Sequence, residues 1–211
     1  GKGGVFCAGA DLEGIKKIAS SGEKTREMAV AMSKQAGSIF EAISKSPQIT
    51  VSVVEGAAMA GAFGIACATD LLVTMSDARY ALTETKIGLT PAQIAPYVLN
   101  RLGFAQARKL LLLGTSFNGQ KAFDLGMADY VADNEEELLH HIQVIKSKVK
   151  KCAPNAVAVT KEIIFSNINV DLINAAELFS DCIVHEEGRE GLASFFEKRK
   201  PSWAEINSSC K

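Results

Sequence analysis

The sequence predicts an α/β fold in which strand–helix units come first and a helical tail follows. Short apolar runs such as 50–54 (TVSVV), 71–75 (LLVTM) and 130–132 (YVA) alternate with stretches of helical period up to residue 133. From Asn134 onward the apolar spacing is helical throughout. The 211 residues are 47% hydrophobic, enough to bury a full core, and no low-complexity linker divides them. The expected boundaries are 1–133 for the strand-containing core and 134–211 for the helical region.

Residues 1–12 (GKGGVFCAGADL) read as a Gly-rich turn, a short apolar run at Val5-Phe6-Cys7, and a small-residue loop, Ala8-Gly9-Ala10-Asp11, where amides are open to a ligand. Met28, Met32, Ala36, Ile39, Phe40 and Ile43 recur at intervals of three and four, which makes 23–44 an amphipathic helix that Pro47 closes. Residues 50–54 are expected to form a strand buried on both faces, being apolar at nearly every position. That strand runs into 54–70 (VEGAAMAGAFGIACATD), where minimal side chains lead into a helix. Such a junction lets backbone N–H groups approach an anion or oxyanion, or simply lets a helix pack closely on a sheet.

Two short strands, 71–75 and 79–82, are expected about a Ser76-Asp77-Ala78 turn, followed by a loop over 83–91 that carries one acid, Glu84. Helices are expected over 93–102 and 104–113, split at Gly103, and over 119–125 after Ser116-Phe117-Asn118. A last strand at 130–132 precedes helices over 135–150, 156–168, 172–184 and 187–198.

Composition narrows the function classes. A net charge of −1, with basic residues grouped at 146–151 and 198–200, argues against nucleic acid as a partner. The five cysteines are odd in number and include no CxxC, so neither a disulfide framework nor a metal site is expected. A reducing, cytoplasmic location fits, with the mitochondrial matrix as the alternative for a chain whose transit peptide precedes Gly1. No apolar run reaches the roughly 20 residues of a membrane span. Cys7 has no paired histidine to make it a nucleophile, and His140, His141 and His185 read as surface residues.

Four segments in order resemble the enoyl-CoA hydratase/isomerase (crotonase) superfamily. Phe6-Cys7-Ala8-Gly9-Ala10-Asp11-Leu12 is similar to its FxAGxDL motif. Gly56-Ala57-Ala58-Met59-Ala60-Gly61-Ala62 with Asp70 resembles its GxAxGGGxxLAxxxD segment. The stretch from Glu84 to Pro91, followed by Arg101-Leu102-Gly103, is similar to its ExxxGxxP and RxxG elements, and 189–201 to its REGxxAFxEKRxP ending.

The resemblance implies a spiral of repeated ββα units with a helical C-terminal region that trimerises, usually as a dimer of trimers, and a chain lacking about the first fifth of a family member. It implies an acyl-CoA thioester substrate, with CoA as part of the substrate and no separate cofactor. Family reactions pass through a thioester enolate held by two backbone N–H donors, each worth about 3 kcal/mol of barrier. By the residue match these are the amides of Ala10 and Gly61, and Glu84 is the catalytic carboxylate. Ala8, Asp11, Leu12, Phe63, Leu89, Pro91, Phe195 and Lys198 are the matched substrate contacts, with Arg199 and Lys200 near CoA phosphates. For Phe195 the alternative is helix packing, and for the basic run a solvated face.

One departure bears on the reaction. Two-carboxylate hydratases carry a second Glu where this chain has Gly64, and the family's hydrolases and dienoyl isomerases carry an Asp where it has Ala92. Two single-glutamate groups remain, and the segment from Leu89 to Tyr97 most resembles the hydratases for methylglutaconyl- or isohexenylglutaconyl-CoA, which makes such a hydratase the first expectation. A single-glutamate Δ3,Δ2-enoyl-CoA isomerase is the alternative, and a non-catalytic or RNA-binding member the third. An ordered water or a substrate carboxylate is expected above Gly64, so that Gly64→Glu would raise crotonyl-CoA hydration.

Overall fold

The computed structural model describes residues 1, 4–165 and 171–206. They form two compact units, 1–44 with 50–141, and 45–49 with 142–211.

The first unit holds every strand of the described residues: β1 (Val5–Cys7), β2 (Val51–Val54), β3 (Ala57–Met59), β4 (Leu71–Met75), β5 (Arg79–Ala81), β6 (Ser116–Asn118) and β7 (Tyr130–Ala132). They build a four-stranded sheet of order β1-β3-β5-β6 and a three-stranded sheet of order β2-β4-β7. From β1 to β5 consecutive strands alternate between the sheets, so β4 and β5, on either side of the Ser76-Asp77-Ala78 turn, do not pair with each other. Each ββα turn gives one strand to each sheet, and the chain spirals. Pairing is parallel except between β5 and β6, where Tyr80 faces Phe117.

The strand at 50–54 is not buried on both faces: Ser52 and Val54 are buried, whereas Val51 is exposed. Nor does it feed the helix. The chain turns at Glu55-Gly56 and makes β3 first, from three residues with little intrinsic strand preference. Ala57 and Ala58 are held there by pairing on both sides, to β1 and to β5, with both side chains buried.

Helix α1 (Leu12–Ala19), unforeseen in the sequence, starts from the side chain of Asp11, which accepts from the Glu13 N–H at 3.0 Å. Helix α2 (Thr25–Ser44) buries Phe40, while Met28, Met32 and Ile39 stay exposed. The small-residue helix α3 (Gly61–Ala68) is buried almost throughout. Helix α4 (Ala95–Leu113) bends at Gly103, whose φ of 69° breaks the helical run where expected. Helices α5 (Gly119–Asp124) and α6 (Glu135–Val149) follow.

The first unit's core centres on an aromatic trio: Phe63 lies edge-on to Tyr80 and Phe117, which stack on each other at 5.6 Å. The Tyr80 hydroxyl donates to Thr74 Oγ1 at 2.8 Å, which satisfies two fully buried polar groups at once. Arg101 stitches the edge of the second sheet. Its guanidinium donates to the carbonyls of Met127 (2.8 Å) and Asp70 (2.9 Å) and pairs with Asp129 at 3.1 Å.

The second unit contains α7 (Pro154–Phe165), α8 (Leu172–Val184), α9 (Glu186–Phe196) and α10 (Ser202–Ile206). The 166–168 end of the helix expected over 156–168 lies outside the described residues. His185 is not a plain surface residue: its Nδ1 accepts from the Glu187 N–H at 3.2 Å and caps α9. His141, in the first unit, is also engaged, through the Val131 carbonyl at 3.1 Å and the Tyr130 ring.

Candidate active site

Three parallel strands, β1, β3 and β5, lie side by side and finish at the same edge of their sheet. Cys7 pairs with Ala58, and Met59 pairs with Ala81. Three residues past β1 stands Ala10, two past β3 stands Gly61, and three past β5 stands Glu84. Residues separated by up to 74 positions in the chain are thus delivered to one sheet edge by topology. Contacts draw the strand ends closer. The Ala60 N–H donates to the Ala81 carbonyl at 2.8 Å, and a Cβ on Gly9 would lie 3.0 Å from the Met59 carbonyl oxygen.

Gly9 has a φ of 96°, which a side chain disfavours, and it needs its bare Cα for that approach. Gly61 is the first residue of α3, so its N–H has no partner within the helix and lies at the positive end of the helix dipole. Ala60 before it has φ 49° and ψ −115°, a conformation costing an alanine about 1–3 kcal/mol. This strain, falling at a site, is the feature of the motif that sequence alone conceals.

Glu84 opens a 3₁₀ turn (Glu84–Ile87), held by the Leu89 N–H donating to the Glu84 carbonyl at 3.0 Å. Its side chain is half-buried, and Oε2 is out of solvent with no hydrogen-bond partner among the described residues. Burial pushes this carboxyl above its ordinary value of 4.5. A carboxylate drawn out of water is a stronger base than a solvated one, as a proton shuttle at carbon requires.

The remaining matched positions divide. Ala8, Leu12 and Leu89 are exposed around this edge, with Leu12 at 72% and Leu89 at 46%, and Ile87 adds further apolar surface at 64%. Asp11 spends its carboxylate on the α1 cap. Pro91 is buried, and its carbonyl accepts from Ile94 and Ala95. Phe63 as a side-chain contact is corrected: it is fully buried in the aromatic trio, which leaves only its backbone for a ligand.

Gly64 corrects a second expectation. The volume in front of it is already filled, since a Cβ there would sit 3.0 Å from Ile94 Cγ1 and 3.1 Å from Phe40 Cε1 and Cζ. No pocket for an ordered water or a substrate carboxylate lies along that bond. Phe40 was legible as a core position of its helix, but no spacing connects it to Gly64 across 24 residues.

In the second unit Phe195 is 77% exposed, which excludes helix-core packing within the chain. Lys198 is exposed, with a φ of 54°. Arg199 is committed elsewhere. Its guanidinium grips both oxygens of Glu190 at 2.6 and 2.7 Å and reaches Glu197 at 2.6 Å, so it is not an open phosphate ligand. A cavity of about 700 Å³ in this unit, beside Lys45, Lys161 and Phe165, contains none of Ala10, Gly61 or Glu84.

The family model for enoyl-CoA hydratase/isomerase matches residues 1–206. The chain belongs to the enoyl-CoA hydratase/isomerase family. Pseudomonas aeruginosa AtuE, a solved structure, superposes with a TM-score of 0.91 at 36% identity over 97% of this chain and 80% of its own. The mitochondrial enoyl-CoA hydratase domain-containing protein 2 of Bos taurus is 33% identical over 94% of this chain and 68% of its own. The mitochondrial methylglutaconyl-CoA hydratase of Mus musculus is 29% identical over 95% and 64%. The spiral of ββα units is thus the crotonase fold, and the chemistry in reach is that of acyl-CoA thioesters. No helix among the described residues is long and apolar enough to cross a membrane.

Proposed function

We propose that this hydratase/isomerase family member adds water across the 2,3-double bond of an enoyl-CoA, with Glu84 as its acid–base and the Ala10 and Gly61 amides as its oxyanion hole. The observation that carries the reading is the half-buried carboxyl of Glu84, its Oε2 without a partner among the described residues, just past the strand that pairs with the one leading to Gly61. The hydratase names of the relatives support it, methylglutaconyl-CoA hydratase among them. Glu84 takes a proton from water while the hydroxyl oxygen bonds to the β-carbon. The electron pair of the double bond moves onto the thioester as an enolate, and the two amides hold the oxygen. Glu84 then returns its proton to the α-carbon, the enolate collapses, and the carboxylate is restored. The chain needs no cofactor beyond the CoA carried by its substrate, and it works as a homotrimer or dimer of trimers in the cytoplasm or the mitochondrial matrix.

A second reading is favoured by the wall at Gly64. With Phe40 and Ile94 where hydratases with two acids place the second carboxylate, a water at the β-carbon has Glu84 as its holder and little else. Δ3,Δ2-isomerisation needs no water: Glu84 removes the α-proton of a 3-enoyl-CoA, and the enolate takes it back at the γ-carbon. Parallel assays of crotonyl-CoA, 3-methylglutaconyl-CoA and 3-hexenoyl-CoA separate the two. Hydrated product from either of the first two is expected; turnover of 3-hexenoyl-CoA alone would replace hydratase by isomerase, and no turnover of any would end both.

A further inference from the structure

Ala60 stands where the three site strands meet, and each part of it is in use. Its N–H donates at 2.8 Å to Ala81, three residues before Glu84. Its carbonyl begins α3, accepting from Phe63 at 2.9 Å and Gly64 at 3.3 Å, and so fixes the turn that presents the Gly61 amide. Its methyl lies 3.2 Å from where a Cβ on Gly9 would stand, directly against the residue before Ala10. Both backbones at this contact are left-handed, Ala60 at φ 49° and Gly9 at φ 96°.

Glycine would occupy the Ala60 conformation without strain. An alanine in its place gains a single methyl group, and that methyl faces the loop of the other amide. We infer that the Ala60 methyl is a positioning group, a spacer that sets the separation between the Ala10 and Gly61 donors. This rests on the oxyanion-hole reading above. Without the methyl, the loop from Ala8 to Asp11 is free to settle toward β3, and Ala60 is free to relax. Either movement shifts a donor relative to an oxygen that is charged only in the transition state. The loss therefore belongs in kcat, with substrate binding largely kept.

The test uses Ala60→Gly and Ala60→Ser in the full chain, assayed with whichever enoyl-CoA the parent turns over. Relief of backbone strain is expected to raise the melting temperature of Ala60→Gly by about 2–4 °C. Its kcat is expected to fall at least about tenfold with KM within about twofold of the parent. Ala60→Ser keeps the Cβ and should keep kcat within about threefold. A merely structural role moves activity and stability together, whereas these are expected to move apart. Ala60→Gly with kcat within about twofold of the parent would overturn the spacer while leaving the oxyanion-hole reading intact. A parent inactive with every thioester would instead overturn that reading, and the spacer with it.

Discussion

Glu84 is held at a cost, because its carboxylate oxygen is buried with no donor among the described residues. The raised pKa means that the folded chain binds the proton more tightly than the unfolded one. Its contribution to stability is therefore fullest below the ordinary carboxylate value of 4.5 and is lost as pH rises through the folded value. Glu84→Gln should be more stable than the parent at pH 7 in thermal denaturation, yet turn over at least about a thousandfold slower. In the parent, kcat/KM should fall on the acid side with an inflection above 4.5, because the base must be ionised. Gly64→Glu now carries a different expectation from the one its sequence suggests. A glutamate there meets Phe40 and Ile94 at about 3 Å, so the single variant should lower the urea midpoint and add no hydration. Gly64→Glu with Phe40→Ala opens the room and should hydrate crotonyl-CoA faster than Gly64→Glu alone. Ala10, Gly61 and Glu84 come from the family resemblance rather than from spacing or composition, since small residues in a loop and a lone loop acid are common. The wall at Gly64 is not legible in the sequence, because it brings side chains from two distant segments, Phe40 and Ile94, against a third.

At the scale of elements, two of the three strands that lead to the site, β1 and β5, stand where the sequence puts them, and β3 does not. β3 is Ala-Ala-Met, and its strand state comes from neighbours on both sides rather than from propensity. β6 is three residues that pair antiparallel to β5 and put Phe117 on Tyr80. The helices were far more legible. Apolar spacing gave 172–184 to the residue, and Gly103 marked the bend in α4. Arg101 stands just before that bend, and the structure gives its motif position a physical task. Largely buried, it satisfies two carbonyls and pairs with Asp129, which also accepts from the Leu72 N–H at 2.7 Å. Arg101→Met should destabilise the chain by about 3 kcal/mol, read from urea unfolding, because it strands those acceptors.

For the whole molecule, alternation of β1 to β5 between two sheets turns a chain of short strands into a spiral that brings β1, β3 and β5 to one edge. That alternation is invisible in the sequence, which shows two strands about a three-residue turn but not the sheet that each joins. In the second unit Leu172 (87%), Phe179 (68%) and Phe195 (77%) present large apolar side chains to solvent within one chain. The proposed trimer or hexamer would cover such surface, so sedimentation should give three or six times the 22.5 kDa chain, and Phe179→Glu should shift it toward the monomer. In the proposed reaction Glu84 moves a proton at the α-carbon of a thioester whose oxygen the Ala10 and Gly61 amides hold. Deuterium uptake tests it most directly, since addition of water and migration of the double bond both pass through that enolate. With enoyl-CoA in D₂O, the parent should place deuterium on the α-carbon of product or of recovered substrate, and Glu84→Gln should do so at least about a thousandfold more slowly. Equal uptake by parent and Glu84→Gln, or none by the parent, would contradict it.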